Sequence, residues 1–250
     1  MQNTHIIRIP ILPFGMVNCH LLIGTHGCVL VDAGLPGSEH KIQRALKRHG
    51  LGWHDIRCIV VTHAHVDHAG SAERIHTLSG APIVAHVGDL DYYLQKKPMR
   101  FCATGWFGRL FLRMGLILQP YTPFTPDVLL QSGETLDLSA YGLDGRVVHT
   151  PGHTAGSLSV QLASGDVMVG DLLASGILLG GLVRTGQAIR PPFEDDPHAV
   201  ADALLHMVDV GMQRFYMGHG GPLPAKEVVR HARGLRNLPV KCRTCPTGHC

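Results

Sequence analysis

Thr62-His63-Ala64-His65-Val66-Asp67-His68-Ala69-Gly70 sets four potential metal ligands within six positions, directly after the apolar run Cys58-Ile59-Val60-Val61. Neutral imidazoles and carboxylates suit Zn²⁺, and also Fe²⁺ or Mn²⁺ where carboxylates are numerous. In extended backbone, alternate side chains project to one side, so His63 and His65 can bind one ion. Asp67 and His68 follow after the chain has begun to turn and face a different point. One tight loop thus offers two half-sites. A catalytic zinc commonly has three protein ligands and an open position, so more ligands are needed.

Three later residues fit. His153 lies in Thr150-Pro151-Gly152-His153-Thr154, Asp171 in Val169-Gly170-Asp171, and His219 in Met217-Gly218-His219-Gly220. Each is a His or Asp at the predicted end of a strand beside glycine, where loops converge and backbone can approach closely. Any one alone reads as a turn or core residue; the joint pattern is far more specific. Two metals about 3.5–4 Å apart can share a water and lower its pKa towards ~7, giving hydroxide at neutral pH. Asp67 can orient that nucleophile or pass its proton on. His86 and His149 also follow strands and read as core or supporting residues.

The elements that must position these residues follow from patterning. Ile6–Leu12 reads as an edge strand stopped by Pro13. His20–Ile23 and Cys28–Val31 read as a hairpin joined through Gly24-Thr25-His26-Gly27. Ser38 is predicted to cap a helix running to about His49, with Gly50 as its stop. Ile42, Ala45 and Leu46 recur there at helical spacing. Ile56–Val61 is apolar but for Arg57 and reads as a buried strand. A helix over Ser71–Leu78 and a strand over Pro82–Ala85 follow. Leu90–Lys97 is predicted helical. Phe101–Pro120, with Trp106, Phe107, Leu110, Phe111, Leu112 and Met114, reads first as a core helix; the functional alternative is a helical insert over the active site. Strands resume at Glu134–Leu138, Arg146–His149, Ser157–Leu162, Asp166–Val169 and Arg214–Met217. Leu172–Arg190 is Gly-rich and is predicted to be irregular. Asp196-Pro197 opens a helix over His198–Val210, and Ala225–Arg236 is the last. The strand-rich, then helix pattern occurs twice.

A length of 250 residues allows one large domain or two small ones. Hydrophobic residues at 45% and charged residues at 16% exclude a disordered chain. A net charge of +3 argues against nucleic acid as a partner. The 18 histidines favour metal chemistry. Seven cysteines, an odd number, with Cys28 and Cys58 inside apolar runs, favour a reducing compartment. The N-terminus lacks the basic region of a signal peptide, and no apolar run reaches the ~18 residues of a membrane span. The expectation is a soluble, cytoplasmic protein with a small-molecule substrate and no stable membrane anchor, its homo-oligomeric state left open.

The set His63-x-His65-x-Asp67-His68, His153, Asp171 and His219, with Asp32-Ala33-Gly34 upstream, closely resembles the metallo-β-lactamase superfamily over roughly residues 5–235. The resemblance implies an α+β fold, a single-domain four-layer αβ/βα sandwich with metals at one edge of two packed sheets. We delimit that domain as residues 1–237, with an apolar helical insert at 90–126 and a Cys-rich tail at 238–250. The resemblance also implies His63, His65 and His153 on metal one, Asp67, His68 and His219 on metal two, and Asp171 bridging both. Asp32 matches a family position that supports a ligand from behind.

The implied activity is a dinuclear hydrolase, with zinc first and iron or manganese as alternatives. A metal-bridging hydroxide would cleave a small ester, thioester, lactone or amide. β-Lactam hydrolysis and di-iron redox chemistry on the same scaffold are the alternatives. Asp171 stands where one class of true β-lactamases has cysteine, which points instead to the thioesterase, lactonase and phosphodiesterase-like branches. Only 31 residues follow His219, short of the helical extension of hydroxyacylglutathione hydrolases. Leu172-Leu173-Ala174 lacks the Tyr typical of quorum-quenching lactonases. The apolar stretches around Trp106–Leu118 and Leu172–Leu182 suggest an acyl or aromatic substrate. In the tail, Cys242, Cys245, His249 and Cys250 read as an exposed redox-active or disordered stretch, with a small zinc knuckle as the alternative.

Overall fold

The computed structural model describes residues 4–177, 180 and 182–239. The first sheet contains β1 (His5–Pro10), β2 (Asn18–Gly24), β3 (Gly27–Val31), β4 (Ile56–Val60), β5 (Ile83–His86) and β6 (Val128–Leu130), neighbours in that order. β1, β2 and β3 pair antiparallel, and β3 to β6 run parallel. The second half supplies β7 (Thr135–Asp137), β8 (Gly145–His149), β9 (Leu158–Leu162), β10 (Asp166–Met168), the two-residue strands β11 (Ala174–Ser175) and β12 (Ala188–Ile189), β13 (Arg214–Tyr216) and β14 (Leu223–Pro224). Its six-stranded sheet has the order β14-β13-β10-β9-β8-β7, and β11 pairs with β12 alone. The helices are α1 (Glu39–Arg48), α2 (Val66–Ala69), α3 (Ala72–Ser79), α4 (Leu90–Tyr93), α5 (Trp106–Arg113), α6 (Pro197–Asp209) and α7 (Ala225–Arg236).

Between the sheets lies one apolar layer, with Leu22, Val29, Cys58 and Val60 facing Val147, Val160 and Met168. The outer face of the first sheet buries Leu21, Leu30 and Ile59 under Ile42 and Leu46 of α1 and Ile75 of α3. The outer face of the second packs Val167 and Phe215 under Leu204 of α6 and Val228 of α7. Both faces of each sheet are covered, so β4 from Cys58 onward is apolar on both sides. The result is the α+β, four-layer αβ/βα sandwich expected from the sequence, and the doubled strand-then-helix pattern is its two halves.

Direction of travel explains where the chemistry collects. β3, β4 and β5 are parallel, so the residues after them emerge at one edge: Asp32, the histidine cluster, and Asp89. β10 and β13 are parallel, and β8 runs the same way because β8 and β10 are both antiparallel to β9. Their ends deliver His153, Asp171 and His219. Leu158 N donates to Thr62 O (2.8 Å) and Asn18 N to Gly218 O (2.8 Å), joining the two edges.

Four readings of the sequence need correction. Ser38 stands at the α1 N-cap, but its side chain makes no capping bond; its amide donates to Ser71 Oγ instead. Helix α4 stops at Tyr93 rather than Lys97, because Gln95 takes a left-handed φ of 52° and Pro98 follows. The stretch 101–120 is not a core helix. Of α5 only Gly108 is buried, its missing Cβ allowing approach to Pro192 O, and among the described residues no layer covers the other side. Residues 172–190 are not wholly irregular, since Ala174 and Ser175 pair with Ile189 and Ala188. Sequence reading also missed β6, three residues beside β5. The tail residues Cys242, Cys245, His249 and Cys250 lie outside the described residues.

Candidate metal centre

The cluster loop begins where β4 runs out. His63 and His65 flank Ala64, and α2, a single turn, then carries Asp67 and His68. His63 Nε2 and His65 Nδ1 face each other at 3.0 Å, and His153 Nε2 is 3.1 Å from both. Around the turn, His219 Nε2 lies 3.4 Å and His68 Nε2 3.8 Å from Asp67 Oδ2. Ligand atoms of His63, His65, His153 and Asp171 fall within 4.8 Å of one another, as do those of Asp67, His68 and His219. Every residue the sequence nominated is in one of these two groups. Asp171 reaches both: its Oδ2 is 2.9 Å from His219 Nε2, 3.9 Å from His153 Nε2 and 4.0 Å from His63 Nε2, and its Oδ1 is 3.3 Å from His68 Nε2.

The outward nitrogens of His63, His68 and His219 are held from behind, which fixes their tautomers. His68 Nδ1 donates to Asp32 Oδ2 at 2.8 Å. Thr62 Oγ1 donates to the same carboxylate and accepts from His63 Nδ1 at 3.0 Å. His219 Nδ1 donates to the Met16 carbonyl. Asp32 therefore steadies one histidine of each group, from a left-handed φ of 63° that few non-glycine residues adopt. Gly218 is required by close approach: a Cβ there would meet Asp171 Oδ1 and His68 Cε1 at 2.4 Å.

Asp89 went unremarked in the sequence, and it proves central. Its Oδ2 accepts from Ala64 N (3.0 Å) and Thr154 Oγ1 (2.9 Å), and its Oδ1 from Gly156 N (2.9 Å). One buried carboxylate thus ties the loop of His63 and His65 to the loop of His153. The signal was available: it follows glycine at the end of a parallel strand, as Asp171 does. Its role lies in bonds to residues distant in sequence, which no local spacing shows. His149, expected to play a supporting part, donates from Nε2 to Ala155 O at 2.9 Å while its ring stacks on His86.

The electrostatics separate the two groups. Burial first, and then neighbouring histidines, hold His63 well below the usual range. Burial also brings His65 and His153 down to about 3. These three are neutral, with lone pairs free. Burial opposes charge on His219 and His68 too, but Asp171 and other carboxylates outweigh it, raising His219 to about 9 and His68 well above its ordinary value. The carboxylates thus draw positive charge to this point.

The residues fit a divalent metal. Three neutral imidazole nitrogens point at one another across 3.0–3.1 Å, a repulsive arrangement that a cation relieves. His68 Nε2 and Asp171 Oδ1 are buried without a hydrogen-bond partner. Two carboxylates and five histidines form a donor set of the right hardness.

The family model described as "Metallo-beta-lactamase superfamily" matches residues 12–219. A probable metallo-hydrolase, YflN of Bacillus subtilis, is 27% identical over 252 residues, covering 95% of this chain and 87% of that protein. The hydroxyacylglutathione hydrolase of Methylobacillus flagellatus is 27% identical over 212 residues, 84% of this chain and 65% of that protein. Among solved structures, the BLEG-1 B3 metallo-beta-lactamase superposes with a TM-score of 0.68 at 22% identity, over 92% of this chain and 99% of that one. With a family model spanning most of its length and a metal-binding edge built as the fold requires, this chain belongs to the metallo-beta-lactamase superfamily.

Proposed function

We propose that the chain, a metal-dependent hydrolase of this superfamily, holds two divalent ions and cleaves a small ester, thioester, lactone or amide with an apolar acyl part. The observation that carries the reading is Asp171, whose carboxylate contacts members of both ligand groups. His63, His65 and His153 would hold one ion and Asp67, His68 and His219 the other, with Asp171 shared. Zinc is the first assignment, since three histidines with a further open position are a usual catalytic zinc arrangement. When bound, the two ions supply Lewis acidity towards water and the scissile carbonyl.

The chain's own residues do the rest. Asp67 is the most open of the seven, its side chain 16% exposed while the other six are buried. It is placed to orient the attacking water, take its proton and pass it to the leaving group. Phe101 stacks on His65 with centroids 5.0 Å apart, and Phe193 meets the same ring edge-on at 6.4 Å. With Val66, Ala103 and Ile117 they form an apolar wall beside the first ligand group, which supports an apolar acyl group. The relative from Methylobacillus is named for a thioester substrate, which supports a thioester among the candidates. Buried free thiols at Cys19, Cys28 and Cys58 support a reducing, cytoplasmic setting. A small molecule, not nucleic acid, is the partner proposed for this edge.

Metal analysis paired with a screen of thioesters, lactones, β-lactams and phosphodiesters tests the reading. Two ions per chain and turnover of an acyl substrate are expected, with kcat/KM rising from acetyl to longer acyl chains. Asp171→Ala should lower kcat/KM by roughly a thousandfold or more, the scale of several kcal/mol of Lewis-acid stabilisation. Undiminished turnover in that variant refutes the dinuclear mechanism. A visible absorption band with iron would favour redox chemistry, and equal rates at all chain lengths would remove the apolar preference.

A further inference from the structure

Nine large apolar side chains are exposed among the described residues, and seven of them lie in two neighbouring segments. Trp106 (71%), Leu110, Met114 and Leu118 belong to α5 and the turn after it; Ile177, Leu182 and Val183 (68%) belong to the loop beyond β11. A groove of about 480 Å³, lined by Trp106, Leu110, Ile177 and Ile189, joins the two. Scattered exposed apolar residues need no explanation; a continuous patch does.

Charge gathers at the same place. Residues 92–126 and 172–193 contain Lys96, Lys97, Arg100, Arg109, Arg113, Arg184 and Arg190 but no Asp or Glu, whereas the whole chain carries only +3. Lys97 pairs with Asp91 and Arg190 with Glu194. Lys96, Arg100, Arg109, Arg113 and Arg184 are exposed and make no ion pair among the described residues. Trp106, Leu110 and Met114 recur every fourth residue, and Arg109 and Arg113 stand beside that stripe.

From these observations we propose that this face docks reversibly on an anionic lipid bilayer. An interfacial helix has this composition: an apolar stripe set into the surface, Trp at the boundary, and arginines reaching headgroup phosphates. A second copy of the chain fits less well, because a two-fold contact would set the same arginines against one another. The stretch from Trp106 to Leu118 and the loop from Gly176 to Ile189 hold no carboxylate with which to answer them. No helix among the described residues is long and apolar enough to cross a membrane, so the contact is peripheral. It needs neither metal nor substrate.

Trp106 provides the readout, since Trp53 is the only other tryptophan. In a Trp53→Phe background, vesicles of equal phosphatidylglycerol and phosphatidylcholine should shift its emission to the blue and protect it from acrylamide. Pure phosphatidylcholine vesicles should do neither. Partitioning should weaken about tenfold or more when salt rises from ~0.1 to ~0.5 M. Leu110→Ser with Met114→Ser, and separately Arg109→Glu with Arg113→Glu, should each abolish co-sedimentation with the anionic vesicles. Both pairs are solvent-facing, so retained far-ultraviolet circular dichroism keeps the test interpretable. No blue shift with anionic vesicles overturns the proposal. So does a concentration-dependent dimer that Leu110→Ser with Met114→Ser disperses, or an acidic protein that protects Trp106 where the vesicles do not.

Discussion

Single atoms at the metal edge give opposed expectations for its two halves. Asp89 accepts three hydrogen bonds in a buried site, and burial raises its pKa to about 6. An amide at this position has one acceptor oxygen and turns donors towards donors, leaving a buried group unpaired at about 1–3 kcal/mol. Asp89→Asn should therefore loosen the loops of His63, His65 and His153, weakening the first ion by about 10–100-fold, the usual effect of losing support behind ligands. Gly218→Ala should strike the other half, because its Cβ would displace His68 and Asp171. Competition with a graded chelator, read site by site with a spectroscopically active ion, checks both. Identical affinities for wild type and Asp89→Asn would show that the carboxylate does not set the geometry. The seven residues of the two clusters were legible because histidine and aspartate gathered at strand ends is a pattern of types. Asp89 was not, because its importance lies in hydrogen bonds to residues 25 and 65 positions away. Nor was Thr62, which acts through Asp32, 30 positions away.

Elements were legible where burial dictated their pattern and illegible where it did not. The run Cys58–Val61 is apolar on both faces and could only belong to an interior strand. Strand β6 is three residues long, too short for a period to show. The apolar content of α5 reads as core, yet in the fold Trp106 and Leu110 face outward, since hydrophobicity alone does not say which neighbour is present. The starts of α1 and α6 show the same limit. Asp196 accepts from the amides of His198 and Ala199 (3.0 and 3.1 Å) and so caps α6. Ser38, of an equally favoured type, does not cap α1. Asp196→Ala should cost roughly 0.5–2 kcal/mol, or a few degrees of melting temperature for a chain of this size. Ser38→Ala should cost less. Calorimetry on both variants decides, and an equal or larger loss in Ser38→Ala would contradict the capping assignment.

At the scale of the whole molecule, covering both faces of two sheets buries histidines that have no metal to serve. His20 is fully enclosed and brought down to about 3, by burial first and Arg8 second. His231, inside α7, is brought down to about 4 by burial and Arg230. In the unfolded chain both titrate near ~6.5. Between about pH 6.5 and 4 the unfolded state therefore binds more protons than the folded one, and stability rises with pH across that window. Put the other way, acidification from neutrality should destabilise the fold, fully so once the pH passes below the folded values. Asp89 acts in the opposite sense between about 4 and 6, since its raised value lets the folded state hold a proton the unfolded state has released. With Asp195 also raised and His86 also lowered to about 4, two groups stand against three and the net slope stays positive. His231 is the cleaner probe, being remote from the metal edge. Replacing it with glutamine removes its share, about 1–2 kcal/mol between pH ~7 and ~5. The fall in melting temperature over that interval should then be smaller than in wild type by roughly 2–6 °C. The comparison is made on metal-loaded protein, so that changes at the ligand histidines cancel. Parallel melting curves for the two proteins would mean that His231 is not held neutral by the fold.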